Sequence, residues 1–211
     1  MRWVIFGNGP MNEYTLARQS LREGDFIVCC DGGTKHTYAM QITPHLILGD
    51  FDSSDSSTTA HYKDAGVPFA VFPVEKDFTD MELAMQHALD AHADEILILA
   101  GTGGRLDHTL ANMHVLLQAL ERGVSATLID EQNTIRAMQN EITLHAPVGT
   151  LVSLVPADSI VIGVTTENLY YPLRQETLRA GETRGISNVM TDTCAVVRAE
   201  SGRLFVIQST D

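Results

Sequence analysis

Ile96-Leu97-Ile98-Leu99-Ala100-Gly101-Thr102-Gly103-Gly104-Arg105-Leu106-Asp107 decides the class of the fold. The apolar run reads as a buried strand, the glycines as a turn, and the segment beginning at Leu106 as an amphipathic helix. Leu106, Leu110, Met113, Leu117 and Leu120 recur at helical spacing, one apolar stripe for a core. The same order extends upstream, where Trp3–Phe6, Phe26–Cys30, Leu46–Leu48 and Phe69–Phe72 read as strands, and downstream to Ala126–Ile129. A second helix start is written in Thr79-Asp80-Met81-Glu82. It forms a capping box, with Phe78 and Leu83 spaced for a hydrophobic staple and Asp80 at the first helical position. Strands alternating with helices argue for a mainly parallel sheet covered by helices.

Past residue 130 the pattern changes. Short β-type runs follow at close spacing: Thr134–Met138, Glu141–His145, Thr150–Val155, Ile160–Val164, Leu169–Leu173, Cys194–Ala199 and Leu204–Gln208. No helical stripe accompanies them. Glu200-Ser201-Gly202-Arg203 reads as the turn of a last hairpin, and Ala180 to Asp192 as a long polar loop, a kind that often carries function. The fold class is therefore α/β: an N-terminal mainly parallel α/β sheet domain over 1–130, then an all-β sandwich domain over 131–211.

Composition narrows the partners. The chain has 211 residues and a net charge of −13, with lysine only at Lys35, Lys63 and Lys76. It carries no basic stripe to neutralise a nucleic-acid backbone. Cys29 and Cys30 are adjacent and Cys194 is remote, unlike a disulfide framework. No apolar run is long enough to span a bilayer, and the start is too short in its apolar part for a signal peptide. A cytoplasmic protein with reduced thiols, binding neither nucleic acid nor membrane, is expected.

Acidic clusters stand where apolar runs stop or helices start: Asp31-Gly32-Gly33, Asp50-Phe51-Asp52, Asp77-Phe78-Thr79-Asp80 and Arg105-Leu106-Asp107. Carboxylates at strand ends suit a magnesium ion carrying a polyphosphate, because this hard cation takes few oxygens from protein and keeps the rest for water and phosphate. Asp50 and Asp52, two residues apart, point to one side of an extended backbone and can flank one ion; a solvated turn is the alternative. Aspartate before glycine is ordinary turn chemistry, but Asp31 follows a strand, at the carboxyl end where open α/β sheets bind ligands. Asp77 and Asp80 also complement a helix dipole. Gly101 to Gly104 offers bare backbone amides to phosphate oxygens, and Arg105 adds a planar fork. The segment is neither the dinucleotide nor the P-loop signature. Gly7-Asn8-Gly9 is a similar turn. No histidine pair makes a zinc-ligand pattern with the cysteines.

These motifs resemble the thiamine pyrophosphokinase family, in the family's order: Asp31-Gly32-Gly33; Leu48-Gly49-Asp50-Phe51-Asp52-Ser53; Pro73 and Glu75-Lys76-Asp77-Phe78-Thr79-Asp80-Met81-Glu82; Gly101-Thr102-Gly103-Gly104-Arg105-Leu106-Asp107-His108 continuing to Leu110-Ala111-Asn112; and Gly185-Ile186-Ser187-Asn188. The resemblance implies transfer of the terminal diphosphate of ATP to thiamine, and a homodimer with thiamine bound where subunits meet. It implies catalytic roles for Asp31, Asp50, Asp52, Asp80, Arg105 and Asp107, with Mg2+ on Asp50, Asp52 and Asp80. Nucleotide contacts fall to Lys76, Asp77, Thr79, Gly103, Gly104, His108 and Asn112, and thiamine contacts to Ser187 and Asn188. Asp31, Asp80 and Asp107 stay open as the proton acceptor. Gln41, His45 and Val189 depart from the family pattern, the last inside the thiamine-side loop. A metal-dependent phosphohydrolase and a non-catalytic nucleotide or thiamine sensor are the readings from other classes.

Overall fold

The computed structural model describes residues 1–49, 56–71 and 77–210, and the chain divides into two compact units, Met1–Glu131 and Gln132–Asp211. In the first unit, β1 (Arg2–Phe6), β2 (Phe26–Cys30), β3 (Leu46–Gly49), β4 (Phe69–Val71), β5 (Glu95–Leu99) and β6 (Ser125–Ile129) are all parallel, in the spatial order β6-β5-β1-β2-β3-β4. The chain runs outward from β1 to β4, then restarts on the other flank of β1. The helices are α1 (Thr15–Ser20), α2 (Thr34–Ala39), α3 (Ser56–Asp64), α4 (Asp80–Asp90) and α5 (Leu106–Glu121).

The strands are apolar on both sides because both faces are covered. Val4, Phe6, Ile27, Cys29, Ile47, Leu97 and Leu99 form one core with Ala17 of α1, Met40 and Tyr62 of α3. Tyr62 is fully buried, so its hydroxyl needs partners; its one hydrogen is shared between Ile42 O and Thr37 Oγ1, both at 3.0 Å. The alternate residues Ile5, Val28, Ile96 and Ile98 are equally buried, and α4 packs against β1, β2 and β3.

Two helix readings need correction. On α5 the core face is Asn112, Val115, Leu116, Leu117 and Ala119, whereas Leu106 and Leu110 are 68% and 50% exposed. The leucine stripe lies one step around the helix from the true core face. At α4 the Thr79 hydroxyl accepts from Glu82 N at 3.2 Å as the capping box requires, but the Glu82 carboxylate accepts from Gln118 Nε2 of α5 at 2.9 Å. Phe78, expected to staple, is nearly half exposed. This cap ties two helices together.

In the second unit, β7 (Asn133–His145), β8 (Leu151–Pro156), β9 (Ile160–Glu167), β10 (Glu176–Arg179), β11 (Asn188–Val189) and β12 (Cys194–Ser209) form the sandwich. Its two long strands belong to both sheets. β7 and β12 pair antiparallel over their length, with the register interrupted between Arg198 and Arg203. Before the interruption β12 takes β9 as its other neighbour, with β10 beyond; after it, β12 takes β8, with β11 beyond. Asn140 (φ 71°) and Gly202 (φ 88°) sit at the interruption, where left-handed residues bend the ribbon. Met138, Leu144, Val152, Leu154, Val161, Val164, Val197, Leu204 and Val206 fill the core between the sheets.

The expected hairpin turn at Glu200–Arg203 is thus a break inside one continuous strand, and the runs on either side of Asn140 are likewise one strand. Leu169–Leu173 is not a strand; only Leu169 bridges to Met190. The loop from Ala180 to Asp192 contains β11. Among the described residues no helix is long and apolar enough to cross a membrane.

Candidate active site

A cleft of about 650 Å³ opens where the strand order reverses, between the carboxyl ends of β1 and β5. Such a switch point splays the two following connections apart and leaves a crevice. The β1 exit supplies Gly7, Asn8, Gly9 and Pro10, and the β5 exit Ala100 through Arg105; Cys30 and Asp31 come from the β2 exit, Thr79, Asp80 and Met81 from the start of α4, and His108, Thr109 and Asn112 from α5. Its volume is in the range of small-molecule sites.

The two exits are tied closely. Gly7 N donates to Leu99 O and Gly9 N to Ala100 O, both at 2.8 Å, so β1–β5 pairing continues past the strands. A Cβ on Gly9 would fall 2.0 Å from Thr102 O, and one on Gly103 (φ 150°) 2.2 Å from Pro10 Cδ. Gly7, Gly9 and Gly103 are therefore where the two exits press together. Asn112 is buried on α5 and donates from Nδ2 to Gly101 O at 2.7 Å, while Gly103 N donates to Thr109 Oγ1 at 3.1 Å. Asn112, expected as a nucleotide contact, lines the cleft and uses its Nδ2 to shape the turn. Thr102 donates to Asp130 Oδ2 at 2.8 Å.

Asp31 is 8% exposed and begins a short 3-10 turn, Asp31–Gly33, with φ 42°. Aspartate tolerates that left-handed backbone better than most residues. Gly49 packs its backbone against it: a Cβ there would lie 3.1 Å from Asp31 Cβ. Asp80 opens α4, with its carbonyl accepting from Cys30 Sγ at 3.5 Å.

Arg105 and Asp107 form a two-point pair, Nη2 to Oδ2 at 2.6 Å and Nε to Oδ1 at 3.3 Å, with both side chains exposed. The hydrogen bond from Arg105 holds the Asp107 carboxyl below the usual carboxylate range, and its reciprocal raises Arg105. Asp107 is thus a weakened proton acceptor, and the pair has to open for the Arg105 fork to take a phosphate. Water screens such a pair, so it is held loosely.

Of the expected residues, Asp31, Thr79, Asp80, Gly103, Gly104, Arg105, His108 and Asn112 share the cleft. Asp77 and Asp107 are not among its lining. Asp50, Asp52 and Lys76 lie outside the described residues. Among the described residues no three His, Cys, Asp or Glu side chains gather as a metal site. The three cysteines are free thiols, and burial pushes the Cys29 thiol up to about 12, which keeps it inert. Pro10 and Thr109 are lining residues that sequence reading did not name, and Asn8 and Thr102 were named only within glycine turns. The repeated glycine turn was their only signal.

In the second unit Asn188 is buried, with Oδ1 accepting from Tyr171 N and Val189 N at 2.9 Å and Nδ2 donating to Tyr171 O at 2.7 Å. The carboxamide expected to orient a heterocycle instead holds the Tyr171 segment. Ser187 is exposed in a left-handed conformation (φ 57°), its N–H on Ser153 Oγ at 3.1 Å. Tyr170 and Tyr171, 65% and 58% exposed, meet edge to face with ring centroids 4.8 Å apart. Gly185 lies against the β8 backbone, where a Cβ would be 2.3 Å from Leu154 O.

The model of the thiamin pyrophosphokinase catalytic domain matches residues 17–128, and that of the thiamin pyrophosphokinase vitamin B1 binding domain matches residues 133–204. The thiamine pyrophosphokinase of Bacillus subtilis (strain 168) is 30% identical over 209 residues, covering 98% of each chain. Among solved structures, the thiamine pyrophosphokinase from Bacillus subtilis superposes with a TM-score of 0.91 at 28% identity over 100% of both chains. That from Geobacillus thermodenitrificans gives 0.88 at 29% identity, covering 100% of this chain and 98% of the other.

Proposed function

Since the chain belongs to the thiamine pyrophosphokinase family, we propose that the cleft between β1 and β5 is where it holds the phosphates of ATP. The activity is that of a thiamine diphosphokinase, with ATP and thiamine giving AMP and thiamine diphosphate. The hydroxyethyl oxygen of thiamine forms a bond to the β-phosphorus of ATP as the bond from that phosphorus to the α–β bridging oxygen breaks. AMP leaves, and the hydroxyl proton passes to a carboxylate. The observation that carries this reading is position: two aspartates and a glycine-rich β–α turn meet at the strand-order reversal.

In this reading the amide of Gly104 and the start of α5 receive phosphate oxygens, joined by the amide of Gly103 when it leaves Thr109 Oγ1. Arg105, released from Asp107, and Lys76 neutralise charge, with Asp77, Thr79 and His108 as further nucleotide contacts. Asp31 and Asp80 line the cleft, and carboxylates are the ligands that a hard divalent cation such as Mg2+ takes. Asp50, Asp52 and Asp80 would hold the ion, which would supply positive charge to the transferring phosphates. Arg105 holds the Asp107 carboxyl below the ordinary carboxylate range, which weakens it as a proton acceptor and leaves Asp31 and Asp80 as the candidates.

The second unit takes thiamine. Ser187 offers an exposed hydroxyl, and Asn188 acts by fixing Tyr171, whose exposed ring can lie against a cationic heterocycle. We read the active species as a cytoplasmic homodimer in which this loop serves a partner's cleft, with no nucleic acid or membrane involved.

The test is product analysis with and without thiamine and with chelator. The reading expects AMP in equal amount to thiamine diphosphate, and loss of both in excess chelator. ADP, free phosphate, or AMP release independent of thiamine contradicts it.

A further inference from the structure

We propose that His36 is a positioning residue for the nucleotide half of this reaction: with its neighbour Lys35 it latches consecutive residues of the β1 exit turn onto α2. The inference rests on the cleft being the ATP site. His36 is 2% exposed, is not part of the cleft lining, and has no role in the chemistry above. Its Nε2 lies 2.8 Å from Gly9 O and its Nδ1 3.3 Å from Tyr14 Oη. A carbonyl can only accept, so Nε2 carries the hydrogen and donates to Gly9. Nδ1 is then an acceptor, and the Tyr14 hydroxyl donates to it. One tautomer satisfies both ends, and burial holds His36 below its ordinary pKa, keeping the ring neutral.

Lys35 Nζ donates to Asn8 O at 2.9 Å and to Asn8 Oδ1 at 2.8 Å. Asn8 and Gly9 are thus each gripped from α2, while Gly9 N is held from the other side by Ala100 O. Gly9 has no slack, because it abuts Thr102 O. A shift of the Gly9 peptide is therefore passed to the Gly101–Gly104 turn. The helix doing the gripping starts immediately after the Asp31–Gly33 turn. Through His36 and Lys35 the segment that carries Asp31 is registered against the turns proposed to hold phosphate. Misplacement by about an ångström at such a site is enough to be costly.

The experiment compares the full-length parent with His36→Leu, which removes both hydrogen bonds at similar size; His36→Gln, which keeps a donor; and Tyr14→Phe, which removes only the hydroxyl. Affinity for α,β-methylene ATP with magnesium, the KM for ATP and for thiamine, kcat and melting temperature are measured on each. His36→Leu is expected to weaken analogue affinity and raise the ATP KM about tenfold, the scale of one lost hydrogen bond, with the thiamine KM within about twofold. His36→Gln is expected to recover most of that loss, and Tyr14→Phe to show about a two- to threefold ATP-side defect at the weak end of the same scale. Should His36→Leu fail to fold, the other two variants carry the test. Lower melting temperatures with parental ATP affinity, or equal rises in both KM values, overturn the latch. Asp31→Asn run alongside separates the two claims. If it loses turnover while the His36 and Tyr14 variants keep parental ATP constants, only the latch falls; if it too is unaffected, the cleft assignment falls and the latch with it.

Discussion

Asp25 and Asp31 bracket the same strand, β2, and both are 8% exposed, yet their surroundings differ in kind. Asp25, at the amino end of the sheet, is gripped by Arg2 through Nε to Oδ1 at 2.8 Å and Nη2 to Oδ2 at 2.6 Å, and accepts from Arg22 N at 2.7 Å. Arg2 also donates to Ser20 O at 2.6 Å, so the pair is closed. Asp31, at the carboxyl end, sits in a left-handed turn on the wall of a cleft. Burial alone therefore does not distinguish the two aspartates; the end of the parallel strand and the neighbouring groups do. At the amino end a carboxylate stitches β1 to β2, and at the other end it borders the cleft.

The comparison breaks most readily at Asp31. Asparagine keeps the shape and tolerates φ 42°, so Asp31→Asn is expected to melt close to the parent while losing about a thousandfold in turnover, the upper range for loss of one electrostatic group. Parental turnover makes Asp31 a second structural aspartate. Asp25→Ala is expected to do the reverse. Leaving the Arg2 side chain with only Glu95, at 3.7 Å, as an ionic partner among the described residues costs up to about 3 kcal/mol of stability, read by denaturant unfolding, with turnover per folded molecule unchanged at low temperature.

Asp25 also predicts a pH dependence. Burial pushes its carboxyl up, but hydrogen bonds from Arg2 and Arg22 together with their charges outweigh it and hold the pKa below the ordinary 3.8. A depressed folded pKa gives stability that is present above 3.8 and is lost as pH falls through the folded value. Acid unfolding of the parent and of Asp25→Ala should therefore converge at low pH. A constant difference between them contradicts the pairing.

A smaller effect sharpens the cleft side. Arg105→Ala is expected to raise the ATP KM about tenfold, whereas Asp107→Ala, which frees the guanidinium, leaves it unchanged or lower. Equal losses in both make the pair itself the functional unit. The smallest effect is at the loop of the second unit: Ser187→Ala should raise the thiamine KM about threefold, the worth of a modest hydrogen bond, with the ATP KM unaffected. A defect in ATP alone removes this loop from the thiamine site.

Much of the fold was legible because parallel strands buried on both faces leave continuous apolar runs. Phe26–Cys30 is seen over the residues the sequence marked, and the other strands of the first unit differ only at their ends. The second unit was harder. β7 and β12 are single strands that each serve two sheets, and their bends at Asn140 and Gly202 carry the same residues as hairpin turns. The α5 stripe misled because Leu106 and Leu110 share helical spacing with buried Leu117 while pointing to solvent. At the cleft, Asp31, Asp80 and Arg105 were legible as lining residues, and residues acting through the backbone were not. Asn112 and Asn188 carry ligand-like amides that tertiary structure commits to Gly101 and Tyr171. His36 had no partner in sequence, since Gly9 and Tyr14 reach it only through the fold.

The most direct test of the central claim is a crystal structure with α,β-methylene ATP and magnesium, in which carbon replaces the bridging oxygen that the reaction releases. The account predicts the β- and γ-phosphates against the Gly101–Arg105 turn, with the metal shared between phosphate oxygens and Asp50, Asp52 and Asp80. A nucleotide bound elsewhere, or one in the cleft with its phosphates turned away from that turn, would contradict it.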